Sequence, residues 1–308
     1  MIKAVFIVGP TASGKTSLSI QLAKKFDGEI ISADSMQIYK GIHIASAAPD
    51  ESEKCGVPHH LIEFLETDQE YSVADYVKSA RECIKDISCR GKLPIIVGGT
   101  GLYITSLLDN IEYTEVDTDY SLRQSLEEKF SLIGGEEMLK ELAEFDPQTA
   151  SELHPNNKRR IIRAFEVYLQ TGNTKTQQNI LSKQNKGEIL PLVIGVNFKD
   201  RQRLYDRINL RVDLMMQNGL LEEANSIYSM ANQKGAFQAI GHKELYKYFE
   251  NECSLEEAVE HLKQQTRRYA KRQMTWFNKD TRINWLYHDT DEVSNKAEEL
   301  VNEFLKEE

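Results

Sequence analysis

No apolar run in the 308 residues approaches the roughly 18 that a membrane span needs. The chain enters a strand-like stretch by Ala4, leaving no room for a signal peptide. Cysteine is sparse: Cys55, Cys83, Cys89 and Cys253 form no C-x-x-C pair and no Cys/His cluster with zinc spacing. Reduced thiols in a cytoplasmic protein are therefore expected. Positive charge is also short, with 38 Lys and Arg against 48 Asp and Glu and a formal charge of -10. That excludes a global basic field, so any nucleic-acid binding must use local patches. No repeat, low-complexity segment, coiled coil or apolar surface stripe stands out. A monomer without a protein partner is the expectation.

What is present is concentrated first between Ala4 and Leu22, AVFIVGPTASGKTSLSIQL. An apolar β-branched run meets a glycine loop, and helix-favouring residues follow. The loop fits G-x-x-x-x-G-K-[ST] with Gly9, Gly14, Lys15 and Thr16. Its chemistry is anion capture: the backbone N–H groups of Gly9, Pro10, Thr11, Ala12, Ser13 and Gly14, proline excepted, curl around a phosphate at a helix N-terminus. Lys15 adds a full charge, and the Thr16 hydroxyl suits Mg²⁺. A P-loop does not by itself mean ATP.

The next apolar run, EIISA, ends at Asp34, Ser35, Met36 and Gln37. In an open α/β sheet that edge faces the ligand crevice, where Asp34 can serve as a general base; capping of a helical turn is the alternative. Ile38 to Leu65 reads as mostly irregular. His59-His60 lacks a third metal ligand at suitable spacing and is read as a hydrogen-bonding loop pair. Ser72 is a plausible N-cap for an amphipathic helix. LPIIV then ends in Gly98-Gly99-Thr100, where hydrolytic P-loop enzymes commonly carry a Mg²⁺-binding Asp. Glycines there admit another backbone or a flat ligand, and the Thr100 hydroxyl can contact a phosphate or a base; a plain strand-to-helix turn fits equally.

Strand-like runs disappear between about Asn110 and Gly187, so a helical insertion is expected. Arg159, Arg160 and Arg163 can share one helix face there, either to grip a phosphate backbone or as a solvated, salt-bridged face. Strand character returns at LVIGVNF and again at INWLY. Between them, Arg207 and Arg211 stack one helical turn apart, where one or both could reach a phosphate pocket; pairing with Asp206 or Asp213 is the alternative. Gln238 to His242 reads as a polar turn. Lys263, Arg267, Arg268, Lys271 and Arg272 then interleave with Tyr269, Trp276 and Phe277, a combination suited to RNA, and an acidic helix from Val293 to Glu308 closes the chain. The expected fold is α/β: a P-loop NTPase-like core with a mostly parallel sheet over 1–109, an inserted all-helical domain over 110–189, and the core completed with C-terminal helices over 190–308.

GPTASGKT at 9–16, ISADSMQIYK at 31–40, GGTGLY at 98–103, KRRIIRA from Lys158 and KRQMTWF from Lys271, in that order, resemble the bacterial tRNA dimethylallyltransferase (tRNA isopentenyltransferase) family over nearly the whole chain. The resemblance implies transfer of a dimethylallyl group from dimethylallyl diphosphate to N6 of the adenosine 3′-adjacent to the anticodon, tRNA position 37, with Mg²⁺ and release of diphosphate. It places Asp34 as the base and Thr100 beside the reacting groups, with Lys15 and Arg211 neutralising the leaving group. It assigns tRNA contacts to Asp34, Ser35, Met36, Gln37, Thr100, Lys158, Arg159, Arg160, Ile161 and Ile162 in the anticodon stem-loop, with Arg123 a further candidate. The alternative is an ATP-dependent small-molecule kinase, with Asp34 deprotonating a substrate hydroxyl.

Overall fold

The computed structural model describes residues 1–113, 119–184, 187–230 and 235–307. It divides into two compact units, Met1–Leu108 with Glu188–Glu308, and Asp109–Gly187.

The larger unit is built on apolar runs that become buried strands: β1 (Ile2–Val8), β2 (Gly28–Ser32), β3 (His59–His60), β4 (Leu93–Gly98), β5 (Ile189–Asn197) and β6 (Ile283–Tyr287). They form one sheet in the order β3-β2-β4-β1-β5-β6, and every pair is parallel. Ala4 to Val8 are fully buried, as a central parallel strand covered on both faces requires. Leu18, Leu22 and Ala23 of the helix Lys15–Lys25 and Ala297, Val301 and Phe304 of the helix Val293–Lys306 pack with Val5, Ile7, Ile95 and Ile194 into the main core. The last helix stops at Lys306; the expected Glu308 end lies outside the described residues. Among the described residues no helix is long and apolar enough to cross a membrane.

The paired histidines, expected in a loop, form the edge strand β3, in register with Ile30 and Ile31. Two residues are too short for periodicity to reveal. Their hydrogen-bonding role is as expected: His59 Nδ1 lies 2.8 Å from the Val57 carbonyl oxygen and His60 Nε2 2.8 Å from Glu29 Oε2. Glu29 is buried and also meets Arg90 at 2.5 and 2.7 Å and Lys92 at 3.2 Å. The Arg90 bonds first, then His60 and Lys92, overcome burial and hold its pKa down at about 2. Ser72 does cap the helix Val73–Cys89, in a reciprocal box with Asp75.

The smaller unit contains the helices Tyr120–Phe145, Pro147–Glu152, Lys158–Thr171 and Lys175–Gln184. The first is broken at Gly134, whose φ of 80° is non-helical, while a Cβ on Gly135 would collide with the Pro155 carbonyl. The two glycines turn the chain so that Leu126, Met138 and Leu142 close on Ile161, Ile162 and Phe165 in a separate core.

Candidate active site

At the carboxyl end of β1 the glycine loop turns into the helix Lys15–Lys25. Gly9 and Gly14 have φ of 146° and 92°, and a Cβ on Gly9 would strike the Val196 carbonyl oxygen of β5. Only glycine allows that approach. His288, just beyond β6, braces the loop, its Nε2 2.9 Å from the Ser13 carbonyl oxygen. Lys15 Nζ donates to the Pro10 carbonyl at 2.6 Å. Lys15 keeps a partial opening to the cleft, but burial first and then the nearby Arg211 guanidinium pull its pKa down to about 7, against the attraction of Asp34. Burial also lowers Arg211.

The two candidate arginines separate clearly. Arg211 Nη1 is 3.4 Å from Thr11 Oγ1 and lines the cavity beside the loop. Arg207 instead donates to the Ala12 carbonyl at 3.0 Å and lies over the Phe198 ring. The alternative partner Asp213 is taken by Lys263, 2.6 Å away.

The cavity measures about 310 Å³, and Thr11, Lys15, Thr16, Asp34 and Arg211 all face it. Asp34 fulfils part of its capping alternative, since Oδ1 accepts the Met36 N–H at 2.9 Å. Oδ2 accepts no hydrogen bond among the described residues, so one carboxylate oxygen is left to meet a ligand. The next residue is fixed by Thr100, whose Oγ1 accepts the Ser35 N–H at 3.0 Å. Gln37 is held internally, accepting from Ser32 Oγ at 2.8 Å and donating to the Ala47 carbonyl at 3.2 Å.

Gly98 and Gly99 admit protein: a Cβ on Gly98 would overlap the Ala33 carbonyl, and one on Gly99 would overlap Gln273 Nε2. Gln273 and Tyr269, one turn apart on the helix Leu255–Phe277, also line the cavity. Burial, followed by the charge of Asp34, pushes the pKa of the Tyr269 phenol up. Of the aromatic set expected to face RNA on this helix, Phe277 alone is corrected; Trp276 remains partly exposed. Phe277 is buried in the core, Trp276 lies against Gly101 with its Nε1 donating to Thr105 Oγ1 at 2.9 Å, and Tyr269 faces the cavity. Successive residues on a helix point to different sides, so mixed composition does not make a mixed surface.

The Gln238 to His242 turn carries a function missed in the sequence. His242 is fully buried with Nε2 2.8 Å from Glu223 Oε1, and Glu223 accepts the Ile44 and Ala45 N–H groups at 2.7 and 2.9 Å. This link holds the Ala45–Ala47 wall of the cavity.

For a metal, the cavity offers the Thr16 hydroxyl and the Asp34 carboxylate. No group of three or more His, Cys, Asp or Glu side chains suited to a metal occurs among the described residues. That oxygen-poor donor set fits a hard divalent ion that takes most of its ligands from phosphate and water, the habit of Mg²⁺.

The model of IPP transferase matches residues 37–280, and that of isopentenyl transferase matches residues 2–62. The chain belongs to the IPP transferase family. A tRNA dimethylallyltransferase of Bacillus subtilis (strain 168) is 49% identical over 284 residues, covering 91% of this chain and 89% of its own. That of Thermoanaerobacter sp. (strain X514) is 48% identical over 291 residues, with 94% and 92% covered. The full-length tRNA isopentenylpyrophosphate transferase of Bacillus halodurans has a similar structure, with a TM-score of 0.73, 39% identity and 99% of each chain covered. A eukaryotic dimethylallyltransferase acting on tRNA gives a TM-score of 0.85 at 31% identity, covering 99% of this chain and 80% of its own.

The remaining candidates lie in the smaller unit. Arg159 and Arg160 are exposed and Lys158 half-buried, its ammonium 5.6 Å from the centre of the Phe130 ring. Ile161 and Ile162 fill the unit's own core, so their side chains offer no outer surface. Arg123 meets buried Glu166 at 2.7 and 3.2 Å, and Arg163 joins the same carboxylate at 3.2 Å. The salt-bridged alternative therefore describes Arg163, while Arg159 and Arg160 keep an open face.

Proposed function

We propose that this protein transfers the dimethylallyl group of dimethylallyl diphosphate to N6 of the adenosine 3′-adjacent to the anticodon of a tRNA. The observation that carries the reading is the sharing of one cavity by Lys15, Arg211 and Asp34, with glycines rather than a carboxylate at the end of β4. The two cations suit a departing diphosphate, and the glycines stand where hydrolytic P-loop enzymes commonly carry a Mg²⁺-binding Asp.

The loop amides from Gly9 to Gly14, with Lys15, Thr16 and Arg211, cradle the diphosphate. As the allylic C–O bond breaks, its electron pair passes to the diphosphate, where Lys15 and Arg211 stabilise the developing charge. When bound, Mg²⁺ supplies further charge neutralisation there, with Thr16 as its protein ligand. Val212, Met215, Ile240 and Leu262 line the same cavity and suit the apolar five-carbon chain. The N6 lone pair attacks the allylic carbon, and the N6 proton goes to the open oxygen of Asp34. Removal of that proton matters because the adenine lone pair is delocalised into the ring. Thr100 and Ser35 hold the turn that aims Asp34. Met36 and the backbone around Gln37 meet the flipped adenosine, while Lys158, Arg159, Arg160 and Arg123 contact the anticodon stem-loop, the Ile161–Ile162 segment contributing by placing that helix.

The relatives described above weigh against the small-molecule kinase alternative. The test is transfer of label from dimethylallyl diphosphate to unmodified tRNA with Mg²⁺, beside Asp34→Ala. Label in RNA that is lost in the variant supports both reaction and base; equal labelling by the variant removes the base role. No labelling by the wild-type protein with ATP consumed on a metabolite refutes the reading.

A further inference from the structure

Gln273 is only 5% exposed, and its amide joins two loops from distant parts of the chain. Oε1 accepts the Thr11 N–H at 2.8 Å, and Nε2 donates to the Gly99 carbonyl at 3.0 Å. Thr11 belongs to the anion loop. Gly99 opens the turn in which Thr100 holds Ser35, the neighbour of Asp34. The absence of a Cβ at Gly99 is required by the same contact. One acceptor and one donor at this spacing are what a glutamine amide supplies, and a carboxylate lacks the donor.

We propose that Gln273 is a positioning residue that fixes the distance between the diphosphate loop and the turn carrying Asp34, so that leaving group and base act on the same allylic centre. It transfers no proton and carries no charge. The inference rests on the prenyl-transfer reading, in which leaving group and base must be held in register at one carbon. A displacement of about 1 Å in such a site costs about a hundredfold in rate.

The experiment compares wild-type protein, Gln273→Ala and Gln273→Glu in steady-state transfer to tRNA over a range of pH. For Gln273→Ala, kcat falls about a hundredfold while KM for prenyl diphosphate and tRNA stays within about threefold, the signature of an interaction that serves the transition state. The carboxyl of Gln273→Glu offers both an acceptor and a donor only when protonated. Its kcat, expressed relative to wild type at each pH, therefore rises as pH falls from about 8 to about 6, burial having raised the carboxyl's pKa. The groups that share the cavity with it are Lys15 from the anion loop, Arg211 from the helix Arg201–Gln217, Asp34 after β2, and Tyr269 and Arg272 on its own helix; kcat is read at saturating prenyl diphosphate, which keeps Lys15 charged across this range. Gln273→Met, of similar volume but with neither bond, stays as slow as Gln273→Ala, whereas a structural filler would recover with it. Should Gln273→Ala fail to fold, the Gln273→Glu profile decides alone. Wild-type kcat in Gln273→Ala, a KM effect without a kcat effect, or a flat ratio for Gln273→Glu overturns the inference and leaves prenyl transfer standing. An inactive wild-type protein overturns both.

Discussion

Diphosphate affinity falls as pH rises above neutrality, because the cleft holds Lys15 at a pKa of about 7. In the free protein the ammonium is disfavoured by burial and by Arg211. A bound diphosphate reverses the balance: at an effective dielectric of about 20, one negative charge about 4 Å away is worth about 4 kcal/mol. That is about three pKa units, enough to return Lys15 to its ordinary range. The bound state thus holds more protons than the free state between these two values, and by linkage affinity must drop with rising pH. At pH 8 about nine-tenths of free Lys15 is neutral, so binding takes up close to one proton and costs about 1.4 kcal/mol, a tenfold loss. Titration calorimetry with dimethylallyl diphosphate in buffers of different ionisation heat counts that proton directly. Lys15→Met provides the correction for the ligand's own titration. The same variant should melt at a higher temperature below neutral pH, since the wild-type protein there carries a charge its cleft disfavours, while binding diphosphate far more weakly. If wild-type and Lys15→Met proteins take up the same number of protons at pH 8, the account of Lys15 is wrong.

Four other outcomes are expected. Asp34→Asn keeps the acceptor for the Met36 N–H but loses the base, so single-turnover transfer falls by about a hundredfold to ten-thousandfold with diphosphate binding intact by calorimetry. Gly98→Ala forces a methyl group onto the Ala33 carbonyl and lowers unfolding free energy by about 1–3 kcal/mol, measured by urea denaturation. Glu29→Gln breaks a buried pair whose partners Arg90 and Lys92 are partly exposed, for a loss of about 2 kcal/mol at neutral pH after allowing for screening. The depressed pKa of Glu29 means that this contribution is present above the ordinary carboxylate range and disappears as pH falls toward about 2, so wild-type and variant melting temperatures converge in acid. Arg159→Ala with Arg160→Ala weakens tRNA binding and reduces its salt dependence by a slope of about 1–2, read by filter binding at several salt concentrations.

The parts of the site written in contiguous residues were legible in the sequence. β1 and its glycine loop follow from local pattern alone, and Asp34 follows from its place at the end of an apolar strand beside that loop. What escaped reading depends on partners far apart in the chain: Gln273 reaches Thr11 and Gly99, and His242 reaches Glu223 and through it Ile44. A hydrogen bond across such separations leaves no period. The choice between Arg207 and Arg211 was open for the same reason, because both lie on one helix face and only the fold shows which side of the anion loop each meets. The resemblance assigns Ile161 and Ile162 to a tRNA-contacting segment, yet their side chains are buried beside exposed Arg159 and Arg160, as an amphipathic helix separates its faces.

The most direct test uses two tRNA transcripts identical except at the nucleotide 3′-adjacent to the anticodon, adenosine in one and guanosine in the other. Each is incubated with the protein, Mg²⁺ and labelled dimethylallyl diphosphate, then digested to nucleosides. The account predicts one labelled, prenylated adenosine from the first transcript, with diphosphate released in equal amount, and no labelled nucleoside from the second. Equal labelling of both transcripts, or release of diphosphate without labelled RNA, would contradict it.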